Sequence, residues 1–249
     1  MCIGEGGSGM ISNVCTRIGA LIDASEIESV SIDEFARNAE QAGIPDIFIR
    51  LNQNIRYQSA LDLIRSLRSS VALPVTVEFD SASVEEACGC IESGADRIVV
   101  STSALCDPNV ISRISNEVGR ASVVVAVDSK RMQGRNVVCT SEGTPTGLPV
   151  LGWLGRAFQM GTDGIVLRGD GSRDTQLISQ IAQEFPASLA TTIESASPRW
   201  CSVLARAGCS EIYVNTVGKS SVATVGEWKE CMDMYAAALP GEEVASAIG

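Results

Sequence analysis

The amino-acid sequence predicts an α/β protein whose fold is a (βα)8 TIM barrel, a closed ring of eight parallel strands. Eight short apolar runs alternate with stretches in which apolar residues recur every three or four positions. A length of 249 residues is also usual for one such barrel. The predicted strands lie at 18–23, 46–51, 74–79, 97–102, 122–128, 164–168, 187–191 and 211–215.

Helix starts and stops support this alternation. Ser31, followed by Glu34, forms a capping-box pattern at the start of the first helix. Asp107-Pro108 has the N-cap acid and first-turn proline of another. Glycines that suit helix C-termini stand just before four of the strands, at Gly43, Gly94, Gly161 and Gly208.

The segment from Met132 to Gly147 is too polar for a barrel helix. The runs 136–140 and 142–147 predict instead an extra hairpin after strand five, over the barrel mouth. An open doubly wound sheet is the alternative fold, but it needs a glycine-rich first turn, and residues 23–26 (Asp-Ala-Ser-Glu) do not supply one. We therefore expect one barrel domain at 15–240, with flexible tails at 1–14 and 241–249.

Composition limits the classes of partner. A net charge of −11 argues against nucleic acid and against an anionic membrane surface. No apolar run reaches membrane-spanning length, and the first ten residues lack the pattern of a signal peptide. Nine cysteines, an odd number, are more typical of reduced thiols than of a disulfide framework. These features together predict a cytoplasmic protein.

Histidine is absent from the whole chain. This excludes Ser-His-Asp and Cys-His catalysis and every metal site that uses histidine. Cys88-Gly89-Cys90 has one intervening residue and no second cluster, so a zinc site is not expected. Proton transfer must fall to other groups, such as Asp or Glu. We predict neither a metal nor a cofactor.

Two aspartates are the strongest candidates for chemistry. Asp128 ends the apolar run 121–127 and precedes Ser129-Lys130-Arg131, and Asp23 ends the run 18–22 in the same way. Enzymes with parallel barrels keep their reactive groups at the carboxyl ends of strands. Strand-end aspartates that only cap the next turn are the structural alternative.

Several of these residues resemble the sequence pattern of a known protein family. The run from Val123 to Arg131, the hairpin, and Pro145-Thr146-Gly147 leading to Trp153 resemble the cyclase subunit of imidazole glycerol phosphate synthase. The similarity extends from about Arg17 to Met234. The isomerase of the preceding step in histidine synthesis is a close relative, but the Asp-Ser-Lys-Arg run favours the cyclase.

The resemblance implies an activity. Asp23 and Asp128 match the general acid and base that face each other across the mouth in that family. The family reaction combines ammonia with a bisphosphorylated ribulosyl formimino aminoimidazole carboxamide ribotide. It yields imidazole glycerol phosphate and an aminoimidazole carboxamide ribotide. Ring closure and carbon–nitrogen cleavage require one group that gives a proton and one that takes it.

Substrate binding departs from the family pattern. Family members hold phosphates with glycine-rich turns after strands three and seven, whereas residues 78–81 (Glu-Phe-Asp-Ser) and 192–195 (Thr-Ile-Glu-Ser) contain no glycine and add acids. Other residues remain candidates for binding an anionic substrate. They are hydroxyl side chains after strand four, charged residues near strand six and a glycine after strand eight. The predicted substrate-binding residues are Ser101, Thr102, Ser103, Arg168, Asp170, Gly171, Asn215, Thr216 and Gly218.

The opposite end of the barrel also carries charges. Arg17, Asp46 and Arg97 match a charged ring that gates an ammonia tunnel in the family, with the fourth position near Asp163 and Gly164. Asp96 matches an interface residue, so the resemblance implies a glutaminase partner there. The alternative is that these charges close the barrel bottom with ion pairs.

Two hypotheses therefore stand. The chain is either a divergent cyclase-type enzyme, for which the retained aspartates argue, or a non-catalytic barrel used as an interaction or scaffold protein, for which the acidic turns argue.

Overall fold

The computed structural model describes residues 16–23, 31–51, 55–79, 83–193 and 198–215. Within these ranges eight parallel strands form a closed barrel, which confirms the predicted (βα)8 fold. They are β1 (Arg17–Asp23), β2 (Ile47–Leu51), β3 (Val75–Phe79), β4 (Arg97–Val100), β5 (Val123–Met132), β8 (Gly164–Gly169), β9 (Ser188–Ile193) and β10 (Glu211–Asn215). The ring runs β4, β3, β2, β1, β10, β9, β8, β5, and the pairing of β4 with β5 closes it.

Helices alternate with the strands as predicted. They are α1 (Ile32–Gln41), α2 (Tyr57–Ser70), α3 (Val84–Glu92), α4 (Thr102–Cys106), α5 (Asn109–Val118), α6 (Val150–Met160), α7 (Thr175–Glu184) and α8 (Pro198–Ala207). None of the helices in the described ranges is both long enough and apolar enough to cross a membrane.

The local signals that predicted the helix ends are confirmed. The Ser31 hydroxyl accepts a hydrogen bond from the Glu34 N–H at 3.4 Å. The Asp107 carboxylate likewise accepts from the Asn109 N–H at 3.1 Å, although the helix begins one residue after Pro108. The four predicted stop glycines all have positive φ, between 74° and 116°, where side-chain-bearing residues are strained.

The predicted hairpin is present. β5 continues past the barrel to pair antiparallel with β6 (Arg135–Cys139), and β6 pairs with β7 (Pro145–Pro149). Gln133 and Gly134 join β5 to β6 with φ of 48° and 78°, the backbone of a two-residue type I′ turn. The predicted tails at 1–14 and 241–249 lie outside the described residues.

The apolar interior is divided in two by the barrel wall. A large cluster fills the space between strands and helices. A smaller cluster fills the middle of the barrel bore, and its members alternate with the outward-facing residues of each strand. It consists of Leu21, Phe48, Val99, Val124, Ala126, Val166, Ala190 and Tyr213. Because alternate residues of a strand share a face, this cluster fixes which residues face inward at the two ends of the bore.

Candidate active site at the barrel mouth

The mouth layer lies at the carboxyl ends of the strands, two residues beyond the apolar middle. This spacing brings together polar side chains from most strands of the barrel. Its members are Asp23, Arg50, Glu78, Ser101, Asp128, Arg168, Thr192 and Asn215. Both predicted catalytic aspartates belong to it, as does the predicted binding residue Arg168.

Arg168 on β8 is the centre of an ion-pair network in this layer. Its Nη1 donates a short hydrogen bond to Glu78 Oε1 on β3, and its Nη2 donates to Asp128 Oδ2 on β5 at 2.5 Å. Arg50 on β2 adds a third contact, from its Nε to Glu78 Oε2 at 3.3 Å. The side chains of Glu78 and Arg168 are 5% and 12% exposed, so this network is largely buried.

The network sets the electrostatics of the mouth. Burial alone lowers the pKa of Arg168, but the Glu78 and Asp128 carboxylates more than offset it, and the net result is a raised pKa. Arg168 is therefore a permanent cation held between two anions. The acidic Glu78, which the sequence suggested would repel phosphate, is instead paired with two arginines.

Asp23 and Asp128 occupy opposite sides of the mouth. β1 and β5 are separated by three strands in either direction around the ring, β2, β3 and β4 on one side and β10, β9 and β8 on the other. Asp23 is opposite Arg50 in the β1–β2 register, and Asp128 is opposite Arg168 in the β5–β8 register. Each carboxylate thus has an arginine on a neighbouring strand.

The other predicted binding residues are spread around the same end of the barrel. Ser101 is buried where β4 ends, Thr102 and Ser103 begin α4, and Asn215 ends β10. Asp170 and Gly171 lie in a 3-10 turn that follows β8. Thr216 and Gly218 lie outside the described residues. Arg50 is a mouth residue that was not among those predicted from the sequence. The period-two alternation from Phe48, at the middle of β2, is the signal that places Arg50 in the mouth.

The floor layer, at the amino ends of the strands, contains a second ion-pair network. Arg97 binds both carboxylate oxygens of Glu211, at 3.1 and 2.9 Å, and Arg17 makes a short contact to Glu211 Oε1. The Tyr213 hydroxyl accepts from Arg97 at 2.8 Å and donates to Glu211 at 3.0 Å. The carboxylate that organises this floor is therefore Glu211, a residue absent from the sequence prediction.

Gly164 explains why the fourth charge is elsewhere. A Cβ atom at Gly164 would lie 2.8 Å from Ser188 Oγ and 3.0 Å from Val124 Cγ2, so this position has no room for a side chain. Asp163, its predicted alternative, is exposed. Glu211, on β10, supplies the second carboxylate of the floor beside Asp46.

Asp46 is the least satisfied charge of the floor. It is 1% exposed, and neither carboxylate oxygen has a hydrogen-bond partner among the described residues; Arg17 is 3.8 Å away. Burial and the nearby Glu211 carboxylate raise its pKa to about 6, against the opposing effect of Arg17 and Arg97. Gly19 makes space for it, since a Cβ there would lie 2.1 Å from Asp46 Oδ1.

A cleft of about 860 Å³ opens beside the floor, and Arg17, Arg97 and Glu211 are among its lining residues. Asp96, the predicted interface residue, is half-exposed at the same end of the barrel. Its carboxylate accepts a hydrogen bond from the Val75 N–H at 2.8 Å, which secures the start of β3.

Comparison with known proteins gives one consistent result. A family model described as "Histidine biosynthesis protein" matches residues 23–173. Similar curated proteins include imidazole glycerol phosphate synthase subunit HisF of Metallosphaera sedula, 33% identical over 147 residues (57% of this chain and 59% of that protein). The same subunit of Chlorobaculum parvum is 33% identical over 144 residues, which are 55% of this chain and 57% of that protein. The chain thus spans less than two thirds of the length of these relatives.

Proposed function

The chain belongs to the histidine biosynthesis protein family, and we propose that it is an enzyme of the lyase and cyclase type. The observation that carries this proposal is the placement of Asp23 and Asp128 in one layer, on opposite strands of the mouth. Two carboxylates on either side of a bound molecule can give and take protons in one reaction. The HisF subunits that the chain resembles support the same class of chemistry.

The two aspartates lie on opposite sides of the mouth, which supports different roles for them. The Arg168 guanidinium balances the charge of Asp128, so we assign Asp128 as the proton acceptor. Asp23, at the end of β1, is then the proton donor on the other face of the substrate. The reaction in this proposal is ammonia-dependent closure of an imidazole ring, with cleavage of a carbon–nitrogen bond in a phosphorylated ribotide.

Steady-state turnover with ammonium salt tests the proposal. The wild-type protein should form imidazole glycerol phosphate from the bisphosphorylated ribotide. Asp128→Asn and Asp23→Asn should each lose about 10²- to 10⁴-fold in kcat, the usual contribution of a general acid or base. Asp62→Asn is the matched control, because Asp62 is an exposed residue of α2 that pairs with Arg65 on the same helix. Equal rates in all three variants would contradict the assignment.

A glutaminase subunit is the partner that the family membership suggests. The floor offers such a partner a charged surface. This surface consists of the half-exposed Arg17 and Asp96 and the cleft that Arg17 lines. Glutamine-dependent turnover should appear when a glutaminase subunit of this family is added. Asp96→Asn should weaken that dependence and leave ammonium-dependent turnover unchanged.

A scaffold role without catalysis is the second candidate, and the ion-pair network favours it. Glu78, Arg168 and Asp128 already satisfy one another inside the mouth. A wild-type protein with no turnover at saturating ammonium, and no binding of the ribotide, would support this candidate over the enzyme.

A cytoplasmic location and a reaction without a metal or cofactor remain part of the proposal. Fractionation of cells would test the location, and metal analysis of the purified active protein would test the cofactor expectation.

A further inference from the structure

Glu78 occupies an unusual position for a carboxylate. It lies inside the barrel on β3, and its two oxygens are each bound by a different arginine, Arg168 through Nη1 and Arg50 through Nε. Two guanidinium groups that converge on one pair of oxygens form the usual recognition geometry for a carboxylate or a phosphate. Glu78 therefore supplies, from the protein itself, the group that such a site would otherwise take from a ligand.

The arginines keep unused donors. Arg168 Nε is buried and has no hydrogen-bond partner among the described residues. Arg50 is a quarter exposed, and its one hydrogen bond within the described ranges is made by Nε; its two terminal nitrogens have no acceptor in that part of the chain. Buried donors without acceptors are rare in folded proteins and cost stability, unless a water or ligand oxygen meets them. The cluster can thus accept more oxygens than Glu78 offers.

We propose that Arg50 and Arg168 form an oxyanion-binding site, and that Glu78 is a built-in anion which a ligand phosphate or carboxylate replaces. The site deepens the proposed function, because it names the residues that would hold an anionic group of the substrate near the reacting atoms. Binding rests on the arginines alone and needs no turnover. A failure of catalysis would therefore leave this site in place.

Charge balance explains why an internal anion is useful. Without Glu78 the largely buried Arg168 would be balanced by Asp128 alone, and Arg50 would lose the carboxylate that its Nε binds. With it, the charges of both arginines are balanced from within the protein, and a ligand must offer better contacts than Glu78 does. A phosphate has more acceptor oxygens than a carboxylate, and these can serve Arg168 Nε and the terminal nitrogens of Arg50 as well. Anions that bind the two arginines more weakly than Glu78 does therefore cannot replace it.

Chemical rescue of a shortened side chain tests this directly. Glu78→Ala vacates the space and leaves both arginines without their shared acceptor. Acetate and phosphate should raise the melting temperature of this variant more than that of the wild type, at equal ionic strength set with chloride. Phosphate rescue that exceeds acetate rescue identifies a phosphate ester as the ligand class, and equal rescue identifies a carboxylate.

Glu78→Gln gives an independent measurement by calorimetry. It keeps the side-chain volume and removes one negative charge, so phosphate should bind at least about tenfold more tightly than to the wild type. Adding Arg168→Gln to that variant should abolish the gain. Asp62→Asn changes the net charge equally at an exposed site and should have no effect. The proposal is overturned if neither Glu78 variant differs from Asp62→Asn in its response to phosphate, or if the gain survives loss of Arg168.

Discussion

The mouth and the floor of the barrel each pair two arginines with two carboxylates, but the carboxylates at the two ends differ in their exposure. At the floor, Arg17 and Arg97 converge on one carboxylate, that of Glu211, which is 3% exposed. At the mouth, one guanidinium, that of Arg168, is divided between two carboxylates, and one of these, Asp128, is 27% exposed. Both carboxylates of the floor are buried, as expected of a network that stabilises the fold, whereas the mouth keeps one carboxylate within reach of a ligand.

The apolar middle layer keeps these two networks apart. Phe48 and Tyr213 pack with ring centroids 4.9 Å apart and are almost fully buried. The hydroxyl of Tyr213 takes part in the floor network and its ring in the apolar layer. Substitutions at either end should therefore act independently, which allows the comparison to be tested one layer at a time.

The largest effect is expected from Arg97→Met. It leaves Glu211 and Asp46 buried beside a single, half-exposed Arg17, and breaking a buried pair in this way costs about 3–5 kcal/mol. Urea unfolding measures the loss. Arg113→Met, which breaks an exposed pair with Asp107, is the control and should cost far less than Arg97→Met. Similar losses of unfolding free energy in the two variants would show that the floor network does not stabilise the fold more than an exposed ion pair does.

Asp46→Asn should change how stability depends on pH. The pKa of Asp46 is about 6 in the folded protein against 3.8 for the free side chain, so the folded state binds more protons between these values. Its contribution to stability is greatest below pH 3.8 and falls as pH rises to about 6. The total is about 3 kcal/mol at the usual 1.36 kcal/mol for each pH unit.

The Asp46→Asn variant has no titrating carboxylate at this position, so it does not lose stability in this way as pH rises. Its stability relative to the wild type should therefore improve as pH rises from 4 to 7, as followed by urea unfolding at each pH. A constant difference between the two proteins across that range would show that Asp46 does not titrate as the floor geometry requires.

Arg168→Met should cost less than Arg97→Met. Glu78 keeps its contact with Arg50, and the partly exposed Asp128 can turn to solvent, so a loss of about 1–3 kcal/mol is expected. The same urea measurement applies. A loss larger than that of Arg97→Met would reverse the contrast and make the mouth the main structural network.

Tyr213→Phe should give the smallest effect, about 1–2 kcal/mol. It removes a hydroxyl that bridges Arg97 and Glu211 but keeps the ring against Phe48. Tyr57→Phe is the matched control, since the Tyr57 hydroxyl makes only 3.4 Å contacts with backbone carbonyls. Equal losses would indicate that the floor hydrogen bonds contribute little beyond the ion pairs.

The candidate site was only partly predictable for a geometric reason. Asp23 and Asp128 could be found because each ends a long apolar run, which is a local signal. The Arg168–Glu78 pair joins residues 90 apart in the chain, and the Arg97–Glu211 pair joins residues 114 apart. No local pattern links such positions, because the stagger of strands around the ring decides which inward-facing residues share a layer.

The sequence by itself determined the barrel, its strand and helix positions, the hairpin and the two aspartates at strand ends. Those features follow from periodicity, caps and glycines, which act over a few residues. Only the tertiary structure decided that Glu78 neutralises two arginines rather than repelling anions, and that Glu211 is the carboxylate on which Arg17 and Arg97 converge. The physical reason is that charge pairing depends on distances across the bore, and closure of the ring alone sets those distances.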